Sequence, residues 1–397
     1  MILSKKAQQI SPSLTLAITA KAKQMKAEGI DVIGFGAGEP DFNTPENIQN
    51  AAIGAIKSGM TRYTAASGIV ELKKAIIDKF KNDNDLNYNQ SQVIISTGAK
   101  QCLANIFSAI LNPGDEVLIP TPYWVSYPEL VKLSDGVPVF VNCKDENNFK
   151  YTKQDLDKVI SHKTKALIIN SPNNPTGTIY SKEELMEIAQ FAKEHDLMII
   201  SDEIYEKLIY GTTKHVSIAS LSEDAYNRTI VINGVSKTYA MTGWRIGYAA
   251  GREDVIKLMS NIQSHTTSNP NSIAQYASVE ALQGEQETIK SMIKEFEARR
   301  NFMIDRIESI KGLTTIKPEG AFYVMVNISN MLNKTNKGEL IKDSIRFSSM
   351  LLEDEKVAVI PGVAFGLDNY IRLSYATSLN NIKEGLNRIE NFVNKLE

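Results

Sequence analysis

At 397 residues, with 44 Lys and Arg against 46 Asp and Glu and a formal net charge of −2, the chain suits one large domain plus a smaller one and carries no long-range field toward nucleic acid or anionic lipid. Two cysteines, Cys102 and Cys143, cannot build a disulfide framework, and four histidines (His162, His195, His215, His265), none spaced as metal ligands, read as ordinary surface or loop residues with no dedicated metal site. The opening MILSKKAQQISPS lacks the apolar stretch of a signal peptide, and no run approaches the ~18 apolar residues of a membrane span, so a cytoplasmic protein acting on small molecules is expected.

In chain order, the N-terminal segment with Gly34, Gly36, Gly38 and Pro40 is expected to pack on a C-terminal domain and to enter the large domain near Pro45. Residues 82–90 (NDNDLNYNQ) read as a loop. Between Val93 and Ala250, short apolar runs alternate with helical patterns: VIIS (93–96), VLIP (117–120), ALIIN (166–170), LMIIS (197–201), TIVIN (229–233) and IGYAA (246–250). These runs are continuous rather than alternating, as strands covered on both faces require, and imply a mainly parallel α/β sheet. Ser181, with Glu184 three residues on, opens a crossover helix whose stripe is Leu185, Ile188, Ala189 and Ala192. Beyond about residue 290 the pattern changes to one long charged helix (289–310), short strands in GAFYVMV and YIRLSYA, and a closing helix from Asn380. That predicts a large domain over 46–289 and a small α+β domain from 1–45 plus 290–397.

In an open parallel sheet, ligands bind outside the carboxyl ends of the strands. Three such exits carry reactive residues: Asn174 after ALIIN, Asp202 and Tyr205 after LMIIS, and Ser236, Lys237 and Arg245 after TIVIN. A fourth, STGAK (96–100), leads into a helical pattern and would aim the backbone N–H groups of Gly98, Ala99 and Lys100 at an anion. A lysine able to form a Schiff base, a carboxylate for a pyridine nitrogen, donors for a phenolate oxygen and a phosphate cup are the parts that pyridoxal phosphate requires. Taken singly, each has an ordinary reading: Lys237 a solvated charge, Asp202 a helix N-cap, Trp124 a core aromatic, Arg372 a salt bridge on the polar face of a strand. Their conjunction at successive strand exits favours the cofactor. Pro122 and Pro175 are candidates for cis peptide bonds, with trans the default.

SKTYAMTGWRIGY (236–248) resembles the cofactor-lysine signature of class I (fold type I) aminotransferases. The likeness runs on through GAGEPDFNTP, TRYTAASG, STGAKQ, TPYWVSYPE, NSPNNPTG, SDEIYE, PEGAFYV and RLSYATS, in that family's order. It implies a seven-stranded-type sheet in a three-layer large domain, with Lys237 as the Schiff-base lysine and Asp202 as partner of the pyridine nitrogen. Tyr205 and Asn174 would bond the 3-oxygen, Trp124 would stack on the ring, and Ser236, Arg245, the 98–100 backbone and Tyr63 would hold the phosphate. Tyr63 is expected from a neighbouring subunit, hence a homodimer with shared sites. Arg372, with Gly38 and Asn174, would bind the substrate α-carboxylate.

The substrate expectation follows from one absence: no arginine lies between Arg252 and Arg299, where one aspartate aminotransferase branch carries its distal-carboxylate arginine. The chain is instead similar to the bacterial branch in which a lysine at the position of Lys100 takes that role, helped by hydroxyls matching Ser13 and Thr15. Aspartate with 2-oxoglutarate is the expected pair. Prephenate, aromatic or alanine specificity, a β-lyase or an aminocyclopropanecarboxylate synthase are the alternatives. A ligand-sensing regulator is disfavoured by the neutral charge and the lack of a spare N-terminal segment.

Overall fold

The computed structural model describes residues 3–397. Its main sheet has seven strands: β1 (Val93–Ser96), β2 (Glu116–Thr121), β3 (Val137–Asn142), β4 (Thr164–Asn170), β5 (Met198–Asp202), β6 (Thr229–Gly234) and β7 (Gly247–Ala250), in the order β1-β7-β6-β5-β4-β2-β3. Neighbours from β6 through β3 pair in parallel, whereas β7 is antiparallel to both β1 and β6. Six strands therefore share one direction and β7 alone opposes them. Both faces are covered: Ile94, Ile119, Ile168, Ile200 and Ile232 face one cluster of buried apolar side chains, and Leu118, Ile169, Ile199 and Val231 face two others. This double burial explains the unbroken apolar runs. The edge strand β3, largely exposed or half-buried, escaped the sequence reading although VPVFV is itself an apolar run; Pro138 within it speaks against a strand anywhere but at an edge.

The crossover helix between β4 and β5 spans Lys182–Glu194, with the expected Ser181 and Glu184 capping box and the expected buried stripe. Residues 82–90 are not wholly a loop: the preceding helix runs Val70–Asn84 and ends at Asp85 in the left-handed conformation. Buried Lys79, Phe80 and Asn84 explain this, since packing overrides the weak helix propensity of Asn and Asp.

After the long Glu287–Ser309 helix comes a four-stranded antiparallel sheet of β8 (Thr314–Thr315), β9 (Tyr323–Asn327), β10 (Ile360–Pro361) and β11 (Tyr370–Ser374), ordered β10-β11-β9-β8. The N-terminal segment is fastened there: Ile33–Gly34 pairs in parallel with Val357–Ala358, and the Ser374 N–H donates to the Phe35 carbonyl at 2.8 Å. Ile204, Tyr205 and Leu208, just past β5, belong to the same buried cluster as Phe296, Phe322 and Phe392. Among the described residues no helix is long and apolar enough to cross a membrane. Cys102 and Cys143 are buried and free.

The closing Leu379–Asn394 helix lies against Phe35 so closely that a Cβ on Gly385 would sit 2.5 Å from the ring. Gly385→Ala should therefore lower the urea midpoint by an amount equivalent to about 1–3 kcal/mol, against the helix-propensity gain of alanine. An unchanged or raised midpoint would show that the contact yields freely.

Candidate active site

Five strand exits and the approach to β7 meet at one rim. Because β7 runs against its neighbours, Arg245, just before its start, lies at the edge where the other strands end. The cleft there has a volume of about 480 Å³. Its lining contains thirteen of the fifteen residues singled out from sequence: Ser13, Thr15, Gly38, Ala99, Lys100, Trp124, Asn174, Asp202, Tyr205, Ser236, Lys237, Arg245 and Arg372.

Lys237 follows β6, and its Nζ donates to the Gly38 carbonyl at 2.5 Å. Burial, reinforced by the Arg245 and Arg372 cations, brings its ammonium down to about 8. Asp202 ends β5 and is buried; desolvation pushes its carboxyl up to about 6, opposed by hydrogen bonds from the Tyr127 hydroxyl at 2.7 Å and the Ile204 N–H at 3.3 Å. The Ile204 contact closes an Asx-type turn; no helix starts here, so the N-cap reading of Asp202 does not hold. Tyr205 Oη lies 3.0 Å from Tyr323 Oη, and burial drives its phenol well above the ordinary tyrosine value.

Among the described residues Arg372, on β11, has no carboxylate partner. Its Nη1 donates to Asn174 Oδ1 at 3.0 Å and its Nη2 to the Gly36 carbonyl at 3.2 Å, while its Nε is buried without a partner. Asn170, the last residue of β4, accepts from the Asn174 N–H at 2.8 Å and donates to the Asp202 carbonyl at 2.9 Å, so one amide sets the positions of both. The Asn174–Pro175 and Thr121–Pro122 bonds are cis, against the trans default, and so is Ser171–Pro172.

At the other end, the Ala99–Ile110 helix begins directly after β1 with Ala99 and Lys100 on the cleft wall. Gly98 stands behind the wall at φ 85°; a Cβ there would meet Arg245 Nη2 at 2.4 Å, so the guanidinium packs on a bare Cα. Lys100 Nζ lies 5.0 Å from the centre of the Trp124 ring, and Ser13 Oγ is 2.9 Å from Thr15 Oγ1. Burial, with Arg245 nearby, lowers the Lys100 ammonium.

Tyr63 is 90 % exposed and stands outside the cleft of its own chain. His215, read as an ordinary surface or loop histidine, does lie in a loop, but its side chain is only 8 % exposed, with Nε2 2.9 Å from Glu203. Sequence reasoning passed over Tyr127, Asn170, Tyr323, Glu39 and Lys23, all on the lining. Only Tyr127 carried a readable signal: it lies three residues after Trp124 at the start of a helix, a spacing that places both on one side.

In all, five cations (Lys23, Lys100, Lys237, Arg245, Arg372) face two carboxylates (Glu39, Asp202) in the cleft. Such a surplus, partly desolvated, suits ligands carrying several negative charges.

The model of the family described as "Aminotransferase class I and II" matches residues 30–389. The chain is 52 % identical over 392 residues to the aspartate aminotransferase of Bacillus sp. (strain YM-2), covering 99 % of each chain. It is 49 % identical over 397 residues to a probable aspartate/prephenate aminotransferase of Rickettsia typhi, covering 100 % of each. A crystal structure of the aspartate aminotransferase from Rhizobium meliloti superposes with a TM-score of 0.97 at 43 % identity, covering 100 % of both chains.

Because the Tyr127 hydrogen bond favours the charged form of Asp202, Tyr127→Phe should raise the Asp202 titration above about 6 in the cofactor-free protein, read by carboxyl infrared absorption. A midpoint unmoved or lowered would remove Tyr127 from the site.

Proposed function

Since this chain belongs to the class I and II aminotransferase family, we propose that it moves the amino group of L-aspartate to 2-oxoglutarate with pyridoxal phosphate and ping-pong kinetics. The observation that carries this reading is the pairing of a lysine lowered to about 8 with an aspartate raised to about 6 in one cleft with cations at both ends.

The residues present fit the cofactor. The bare Cα of Gly98 against Arg245, the start of the Ala99–Ile110 helix and the Ser236 hydroxyl offer charge and donors for a phosphate. Asp202 offers a buried carboxylate with Coulombic need of a cation, as a protonated pyridine nitrogen provides. Trp124 offers a flat wall, and Tyr205 and Asn174 offer donors for a phenolate oxygen. When bound, the cofactor supplies an aldehyde for amine condensation and a protonated ring that withdraws electron density from the adjoining carbon.

The chain's own groups then divide the work. The Arg372 guanidinium, held by Asn174 and the Gly36 carbonyl, keeps an unpartnered Nε for an α-carboxylate. Lys237, once neutral, is the base for the proton on the α-carbon of an amino acid so held; as ammonium it would deliver that proton to the carbon of the cofactor's aldehyde group rather than return it, which is what leaves the amino group behind. Its lowered value makes both forms available near neutrality. Lys100, with Ser13 and Thr15, would take the distal carboxylate. The Rickettsia relative supports a second acceptor, prephenate, at the same Arg372 end.

The proposal extends to a cytoplasmic homodimer in which Tyr63, so exposed in one chain, completes the phosphate site of its partner. It also takes residues 46–289 as a large domain and 1–45 with 290–397 as a small one, supported by the separate sheets.

Purified holoprotein offered aspartate, glutamate, alanine or phenylalanine with a matching oxo acid, and prephenate as acceptor with an amino donor, should turn over aspartate and glutamate fastest. Lys100→Met should lose about 10–100-fold in kcat/KM for aspartate while alanine changes little. If only aromatic amino acids react, or if Lys100→Met affects alanine equally, the dicarboxylate reading is wrong. Arg372→Lys should lower kcat/KM for every amino acid by a comparable factor, since one ammonium cannot replace a planar fork; full activity would unseat Arg372 as the α-carboxylate residue.

A further inference from the structure

The turn after β5 faces two ways. Asp202 and Tyr205 line the cleft, while Glu203 and Glu206, outside the lining, are buried at 1 % and 5 % exposure. A strand alternates its side chains, so Glu203 shares the face of Ser201 and not that of Asp202. Each rear carboxylate meets a basic side chain from a different part of the chain. Glu203 Oε1 accepts from the Ser201 and Ser217 hydroxyls at 2.8 and 2.7 Å, and Oε2 lies 2.9 Å from His215 Nε2. Glu206 is paired with Lys79 of the Val70–Asn84 helix and accepts from Asn84 Nδ2 at 2.9 Å, while Lys79 Nζ also donates to Asn84 Oδ1 at 2.6 Å.

We propose that Lys79 and His215 are positioning residues for the reaction: by pinning Glu206 and Glu203 from behind, they fix the aim of Asp202 and Tyr205 into the cleft. This rests on the reading of those two as cofactor-holding residues. Two carboxylates this deep are costly unless fully paired, and apolar side chains would fill the same space without that cost. What the ionic arrangement adds is direction, because each hydrogen bond fixes a distance and an angle. The peptide chain transmits it. The Glu203 N–H donates to the Ile232 carbonyl at 2.8 Å, the Glu206 N–H to the Glu203 carbonyl at 2.9 Å, and the Leu208 N–H to the Tyr205 carbonyl at 2.8 Å. A shift of Glu203 therefore moves the peptide carrying Ile204, whose N–H holds the Asp202 carboxylate. Glu203, Glu206 and His215 lie close enough together to suggest metal ligands. With Lys79 opposite Glu206 and His215 opposite Glu203, however, each carboxylate already has its own partner. Burial acts to lower His215, but Glu203 and then Glu206 outweigh it and raise the imidazole above its ordinary value.

The test compares holoproteins: His215→Leu, His215→Gln, the double variant Lys79→Met/Glu206→Met, which removes both charges together, and Asp202→Asn as reference. His215→Leu and the double variant should lower kcat by about tenfold or more with KM little changed. They should also move the pH midpoint of the bound cofactor's absorbance in the direction seen for Asp202→Asn. His215→Gln, whose side-chain amide still reaches Glu203, should recover most of the loss. In cofactor-free protein the Ile204 amide should exchange faster in His215→Leu and in the double variant. Cooperative melting with parental kcat, midpoint and exchange in the double variant overturns the proposal, whether or not His215→Leu folds. If Asp202→Asn leaves the midpoint in place while Ile204 exchange still rises, the cofactor reading of Asp202 fails and the clamp stands.

Discussion

Removal from water pulls two opposite charges toward neutrality in the same cleft: it raises the Asp202 carboxyl to about 6 and lowers the Lys237 ammonium to about 8. One cause acts on both, since a low-dielectric site disfavours whichever form is charged. The aspartate is thereby left in need of a cation and the lysine made able to release its proton. Around them Arg245, Arg372 and Lys100 keep a surplus of positive charge that no side chain in the cleft balances. Such a surplus suits an anionic ligand.

The sheet makes this convergence possible. Residues spread from Gly38 to Arg372 meet because six strands end at one edge and β7 begins there. The small sheet contributes through β11, which carries Arg372, and the N-terminal segment contributes Gly36 and Gly38 because it is fastened to that sheet rather than to the large one. Asn170 joins the two halves: one amide spans Asp202 and Asn174, and Asn174 in turn holds Arg372.

Much of this was legible in the chain itself. Strands buried on both faces announce themselves as apolar runs, and the residues after them identify the rim, so Asp202, Lys237 and Asn174 could be named from spacing and chemistry alone. β3 stayed hidden although VPVFV is also apolar: its Pro138 suits a strand only at an edge, and being an edge is a property of the finished sheet. His215 looked ordinary since a single histidine says nothing of the carboxylate it will meet, and Glu203 lies twelve residues away. Tyr323 was similarly silent, its partner Tyr205 being 118 residues distant, and although the spacing of Tyr127 from Trp124 was readable, its bond to Asp202, 75 residues away, was not. Local pattern reports burial well and reports long-range polar pairing poorly, because pairing depends on tertiary closure.

The most direct trial of the account is chemical. Holoprotein reduced with borohydride and digested should carry the cofactor's mass on a single peptide, at Lys237, with none at Lys100 or Lys23. A label on any other side chain, or no label at all, would contradict it.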